Sequence, residues 1–244
     1  MFGIGYIDSR STVLKTDNRS ATARTADASD IKIGTWGADY VHVVHTKDAG
    51  TWDVLGWGVF QTGAWGNLTQ RATAFVGEAG WQSTDSPLKP WITGGYSFGS
   101  GDDNPNDATH GTFFQLLTTP RQYARFPFYN MMNNEDAYAT LNIRPVPKLA
   151  LRSELHGLWL ADTADLWYLG GGVFQQSTFG FQGRPSGGNK SLATVADISA
   201  DYPLTRYLNL SLYYSHASGG SVVSAIYPKS ANGQLSYVET TVHF

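Results

Sequence analysis

The chain has 244 residues, of which 15% are charged and 14% aromatic, with 27 Gly, no Cys and a formal net charge of −3. That length holds one large β domain or two smaller ones, the missing Cys excludes a disulfide framework or a thiolate metal site, and the small charge excludes the electrostatic footprint of a nucleic-acid-binding protein. No run of ~18 apolar residues occurs, which excludes a transmembrane helix, but not a membrane barrel, whose alternating strands leave mean hydropathy modest.

Met1-Phe2-Gly3-Ile4-Gly5-Tyr6-Ile7 already reads as a strand. It lacks the basic start and apolar stretch of a signal peptide, which predicts a chain incomplete at its N-terminus. Strands are then expected near 1–10, 31–45, 53–65, 68–82 and 90–98, where Gly and aromatic residues blur the alternation. Trp81 and Trp91 flank the turn Thr84–Lys89, where an interfacial aromatic girdle would lie; core packing in a soluble protein is the other reading.

Further along, the period of two is plain. Ala137, Ala139, Leu141 and Ile143 oppose Tyr138, Thr140, Asn142 and Arg144. Leu149, Leu151, Leu155 and Trp159 share a face with Ser153 and Gly157, against Arg152, Glu154 and His156, although Leu158 and Leu160 break the polar side. Leu192, Thr194, Ala196, Ile198 and Ala200 oppose Asp197, Ser199 and Asp201, with Ala193 and Val195 as blemishes. Leu208, Leu210, Leu212 and Tyr214 oppose Asn209, Ser211, Tyr213 and Ser215. The final strand starts near 235, with Val238, Thr240, Val242 and Phe244 opposite Tyr237, Glu239, Thr241 and His243. Outer-membrane barrels commonly end on such an aromatic.

Short Pro-containing turns at 84–89, 144–148 and 202–206 alternate with long polar stretches at 99–134, 162–191 and 217–233. The tight connection at Gly66-Asn67 is an exception among the outer loops. This is the pattern of an all-β, antiparallel, up-and-down transmembrane barrel with short periplasmic turns and longer extracellular loops. About ten strands are expected, an even number that puts both chain ends on the periplasmic side. Ten strands either close alone or form part of a larger barrel.

Ser100-Gly101-Asp102-Asp103-Asn104-Pro105, then Thr112-Phe113-Phe114-Gln115-Leu116-Leu117 and Tyr123-Ala124-Arg125-Phe126-Pro127-Phe128-Tyr129-Asn130, resemble the alginate-export family of bacterial outer-membrane barrels. Asp165-Leu166-Trp167-Tyr168 with Gly170-Gly171-Gly172, Gly183-Arg184-Pro185-Ser186-Gly187-Gly188 and the terminal Tyr237–Phe244 segment extend the similarity, over roughly 50–244. The resemblance implies an eighteen-stranded barrel in the bacterial outer membrane that exports an anionic polysaccharide, alginate or another polymer. Residues 1–244 then form the C-terminal part of one barrel domain. It also implies a periplasmic delivery protein; the barrel reading adds lipid and lipopolysaccharide contacts, and no cofactor or nucleic-acid partner is expected.

A polyuronate path needs cations along its wall, because Arg holds a carboxylate through paired hydrogen bonds while neighbouring weak sites let the polymer move on. Arg144 and Arg152 fall on the inward parity, and Arg121 and Arg125 lie in an aromatic-rich loop of 36 residues, 99–134, long enough to fold into the pore. Glu154, His156 and Asp197 share the inward parity, and Glu154, Asp197 and Asp201 are also partners for an Arg ladder that only braces the wall. Arg184 is placed to guard the outer mouth or to meet lipopolysaccharide. Asp102, Asp103 and Asp107 read as a solvated loop start or as a calcium cluster. Ser153 points away from Glu154 and His156, so these three form no catalytic triad within a regular strand, and the six His residues show no paired metal-ligand spacing. A ten-stranded outer-membrane enzyme or binding barrel is the alternative function.

Overall fold

The computed structural model describes residues 1–47, 49–116, 126, 129–170, 175 and 177–244. Ten strands run as one antiparallel meander: β1 (Phe2–Asp8), β2 (Ile31–Thr46), β3 (Gly50–Trp65), β4 (Leu68–Gln82), β5 (Trp91–Gly99), β7 (Asn134–Val146), β8 (Leu149–Trp159), β11 (Ser191–Pro203), β12 (Leu208–Gly219) and β13 (Gly233–Val242). Each pairs with the strands before and after it in this order. The strands expected from alternation are all present. Among the described residues β1 and β13 are the two edges of the sheet.

A meander of this kind sends connections out of two ends. At one end lie 83–90, 147–148 and 204–207, together with both chain termini. At the other lie 9–30, 66–67, 100–133, 160–190 and 220–232. The longer connections carry structure that alternation along the sequence does not signal. Helix α1 (Ala21–Ala26) is capped by the Ser20 hydroxyl, which accepts from the Ala23 N–H. The two-residue β6 (Thr109–His110) adds in parallel to β4. The hairpin β9 (Leu166–Gly170) and β10 (Phe181–Pro185) forms a separate sheet, and α2 (Ser221–Ile226) buries Val222 and Val223.

The two faces of the sheet differ as the alternation requires. Leu155, Ile198, Leu212 and Val238 are 55%, 50%, 45% and 68% exposed on the outer face. Their neighbours Glu154, His156, Asp197, Tyr213 and Ser215 are buried on the inner face. A soluble sandwich would bury the Leu face against a second sheet; here that face has no covering layer among the described residues, and hydrocarbon is the solvent that suits it. Trp52 and Trp81 pair on the outer face near the short-turn end, their rings 6.4 Å apart. Trp91 differs from the girdle expectation. It donates to Asp53 Oδ2 at 2.9 Å, across the backbone of Gly80, because its strand parity turns it inward.

Leu158, Leu160, Ala193 and Val195, which spoil the polar parity in the sequence, lie at the long-loop end and pack in one core with Phe126, Tyr129, Trp167, Leu192 and α2. Two further clusters join Ile31, Ile33 and Trp65 to Phe114, Met132, Tyr168, Phe179 and Phe181, and Val59, Ala72, Ala74 and Val76 to Phe113 and Met131. The long connections thus fold back over the inner face, and its upper half is apolar because protein, not water, covers it.

Below that layer Tyr138 lies across the bare backbone of Gly95 and donates to Glu78 Oε2 at 2.9 Å. A Cβ on Gly95 would overlap the Tyr138 ring. Gly95→Val is therefore expected to displace Tyr138 and cost about 1–3 kcal/mol by overpacking, measured by urea unfolding followed through Trp fluorescence. Gly94→Val, which has open space, is the control.

Candidate pore wall and inward loops

The inward loops are fastened by side-chain amides that mimic a strand partner. Gln61, fully buried on β3, accepts from the Phe114 N–H at 2.8 Å and donates to the Phe114 carbonyl at 2.8 Å. Gln70 on β4 donates to the Thr112 carbonyl at 3.0 Å and to Gln61 Oε1 at 3.3 Å. His110 stacks on Trp65 at 4.1 Å and meets Gln70 Oε1 through Nδ1 at 2.7 Å. Burial pushes its imidazole down to about 3, so it is neutral and Nδ1 carries the proton. Trp65 in turn donates to Asp17 Oδ2 at 2.9 Å, and Arg19 ties Asp17 to Asp27. The backbone N–H of Asn67 donates to Asp27 at 3.1 Å. At Gly66, φ is +61° and a Cβ would strike the Asp27 carboxylate, so the tight turn needs glycine twice over.

Asp165 joins two loops. Its Oδ2 accepts from the Thr112 hydroxyl at 2.6 Å and the Asp102 N–H at 3.0 Å; its Oδ1 accepts from the Tyr168 hydroxyl and the Leu166 N–H, both at 2.7 Å. Burial pushes Asp165 up to about 6 despite those donors. Burial, with repulsion from Asp165, does the same to Asp102. Both carboxyls therefore hold a proton more tightly folded than unfolded, where the value is 3.8. The folded loops bind extra protons between those limits and lose stability as pH rises from about 4 to about 6. Amide exchange at Asp102 and Leu166, corrected for intrinsic rates, is expected to be slower at pH 4.5 than at pH 7.5; equal protection would refute this linkage.

The lower inner wall is rich in carboxylates. Glu78, Asp136, Glu154, Asp197 and Asp201 face inward with Arg152, which forms an ion pair with Glu154. Asp197 accepts from the Tyr213 hydroxyl at 3.0 Å. His156 meets Asp136 through Nδ1 at 2.9 Å. Thus Glu154, His156 and Asp197 come together across β8 and β11, in line with their parity. Asp136 was missed because the expected strand begins one residue later, at Ala137. Ser153 hydrogen-bonds the Asp197 carbonyl at 3.1 Å from the outer face, away from Glu154 and His156.

At the short-turn end Arg144, Arg152 and Lys89 border one cavity of about 190 Å³, with Gln82, Asn142 and Asp201. Arg144 is exposed, next to an irregularity in the β7–β8 register between Ile143 and Val146, and has no carboxylate partner among the described residues. Arg184 lies at the opposite end, on the rim of a cavity of about 960 Å³ lined by Trp167, Tyr129, Gln182 and Tyr227. Arg121 and Arg125 fall outside the described residues. Asp102, Asp103 and Asp107 do not converge: Asp102 and Asp107 cap the N–H groups of Asn104 and Thr109, as a loop start does.

An up-and-down sheet with an apolar outer face, a polar inner wall and inward-folded loops defines a membrane β-barrel wall. No helix of the described residues is long and apolar enough to cross a membrane. The family model for alginate export matches residues 12–235, and the chain belongs to that family. Its members are outer-membrane β-barrels of a transport family, which supports a role in exporting alginate or a related polysaccharide. The match begins well before residue 50, where the resemblance was expected to fade, and it stops short of Tyr237–Phe244. No curated protein matches the chain.

Proposed function

We propose that this chain forms wall of an outer-membrane channel through which an anionic polysaccharide such as alginate diffuses passively out of the cell. Residues 1–244 then belong to one barrel domain that continues in further strands to about eighteen, beside lipid and lipopolysaccharide, with a periplasmic protein delivering the polymer. The chain acts as a conduit and not as an enzyme.

The observation that carries this reading is the cationic cavity at the short-turn end, where Lys89, Arg144 and Arg152 surround a space that also holds the amides of Gln82 and Asn142. A uronate carboxylate entering from the periplasm meets separated positive charges there, held weakly enough to pass on. Arg144 contacts polymer; Arg152, engaged by Glu154, braces the wall. Arg121 and Arg125, in the connection 99–134, also contact the polymer, and Arg184 acts at the outer mouth. Inward carboxylates repel the polymer from the wall between these points, which favours sliding over binding.

Vesicle efflux and planar-bilayer recordings of the whole protein test the proposal. The double variant Lys89→Glu/Arg144→Glu is expected to lower oligouronate flux about tenfold and to shift selectivity towards cations. Unchanged flux and selectivity would sink the proposal. Lys32→Glu, whose side chain is exposed and pairs with Asp30, is the control.

A further inference from the structure

The inner wall holds a group of donors that the transport reading does not use. Glu154, His156 and Asp197 each offer one ligand atom, and these atoms lie within 4.8 Å of one another. We propose that they form a divalent-cation site with the mixed imidazole and carboxylate chemistry that suits zinc.

Two unsatisfied atoms point to a ligand. His156 is fully buried and Glu154 is 4% exposed, yet His156 Nε2 and Glu154 Oε2 have no hydrogen-bond partner. Buried polar atoms without partners cost about 1–3 kcal/mol each unless something fills the gap. Both residues are held by their other atom. His156 Nδ1 is engaged by Asp136 at 2.9 Å, and Glu154 Oε1 by Arg152. The third ligand is fixed likewise, because Asp197 Oδ2 accepts from the Tyr213 hydroxyl at 3.0 Å. A carboxylate behind a ligating imidazole, and hydrogen bonds behind ligating carboxylates, are the outer supports that orient metal ligands.

The strand register explains how the group assembles. Glu154 on β8 lies directly opposite Asp197 on β11, which lies opposite Ser215 on β12. His156 stands two residues along β8 on the same face. The Ser215 hydroxyl is also buried and unpartnered, which leaves an oxygen beside Asp197 for the fourth position or for a water bound there. Tetrahedral zinc bonds of about 2.0–2.2 Å place ligand atoms roughly 3.4 Å apart, a contraction that side-chain rotation on a fixed sheet supplies. A resident dication also screens wall carboxylates from a passing polyanion; that consequence rests on the transport reading, whereas the site does not.

The whole protein, purified from membranes in detergent and stripped with a chelator, is to be dialysed against micromolar zinc and assayed for bound metal, with cobalt(II) absorption as a coordination probe. About one equivalent of zinc is expected, with d–d bands from cobalt in a site of low coordination number. His156→Gln and Glu154→Gln are expected to remove both signals, and Asp136→Asn, which leaves every ligand in place, to weaken zinc binding about 10–100-fold. Exposed His45→Gln is expected to change neither signal. The proposal is overturned if the wild-type protein retains less than a tenth of an equivalent. It is overturned equally if Glu154→Gln, His156→Gln and Asp136→Asn all bind zinc as the wild type does, for then a proton shared between Glu154 and Asp197 fills the role.

Discussion

Replacing Asp165 by Ala is expected to release the inward loops and cost about 3–5 kcal/mol, in the range reserved for broken buried networks. The carboxylate accepts from Thr112, Tyr168, Leu166 and Asp102, and so joins the 100–116 segment to the start of the β9–β10 hairpin. Ala leaves those donors buried without acceptors. Asn is no remedy, since its amide nitrogen would face donors. Limited proteolysis in detergent should show cleavage in 100–116 and 160–170 at least tenfold faster than in the wild type, while the strands stay protected. If the loops of Asp165→Ala resist protease like the wild type, the carboxylate is not their fastener. A loosened plug should also raise ion conductance, a readout that a merely unstable strand would not give.

Leu155→Arg carries the second large effect. Leu155 stands on the outer face of β8 and is 55% exposed, flanked across the sheet by Ala139 and Ala196. Arg at such a site costs about 2–4 kcal/mol near the bilayer midplane and much less near the interfaces. The same substitution at Val146, close to the short turn, is expected to cost under about 1 kcal/mol, since a long side chain there reaches the interface. Urea unfolding and refolding in lipid vesicles gives both values. Equal, small costs at both positions would mean that Leu155 faces water. The comparison matters because exposure alone does not tell lipid from water; only the penalty for charge does.

The ten-strand meander was legible because period-two alternation survives wherever one side meets lipid and the other meets water or polar side chains. It failed where a third environment intervened. Leu158, Leu160, Ala193 and Val195 look like errors in a polar face, but they meet the folded-back loops. A Trp beside a turn suits an interfacial girdle, but the strand parity of Trp91 sends it to Asp53. The β9–β10 hairpin and β6 are too short to show a period, and their partners lie far along the chain. The site was half legible. Parity put Glu154, His156 and Asp197 on one face, yet spacing along the sequence gave no sign of a metal, because the donors come from facing strands. Gln61 and Gln70 carried no signal at all; a side-chain amide that binds a loop backbone looks in sequence like any polar strand residue.

The central claim is that one face of each sheet strand meets hydrocarbon while the other turns inward, to polar side chains and the folded-back loops. The chain has no Cys, so single spin labels can be placed at successive positions 210–215 of β12 in lipid vesicles, and their collision rates with oxygen and with a polar nickel chelate measured. Oscillation with a period of two is expected, oxygen contact being highest at 210, 212 and 214 and low at 211, 213 and 215, where the side chains turn inward and Tyr213 and Ser215 are buried. Oxygen contact that is uniform, or highest at the odd positions, would contradict it.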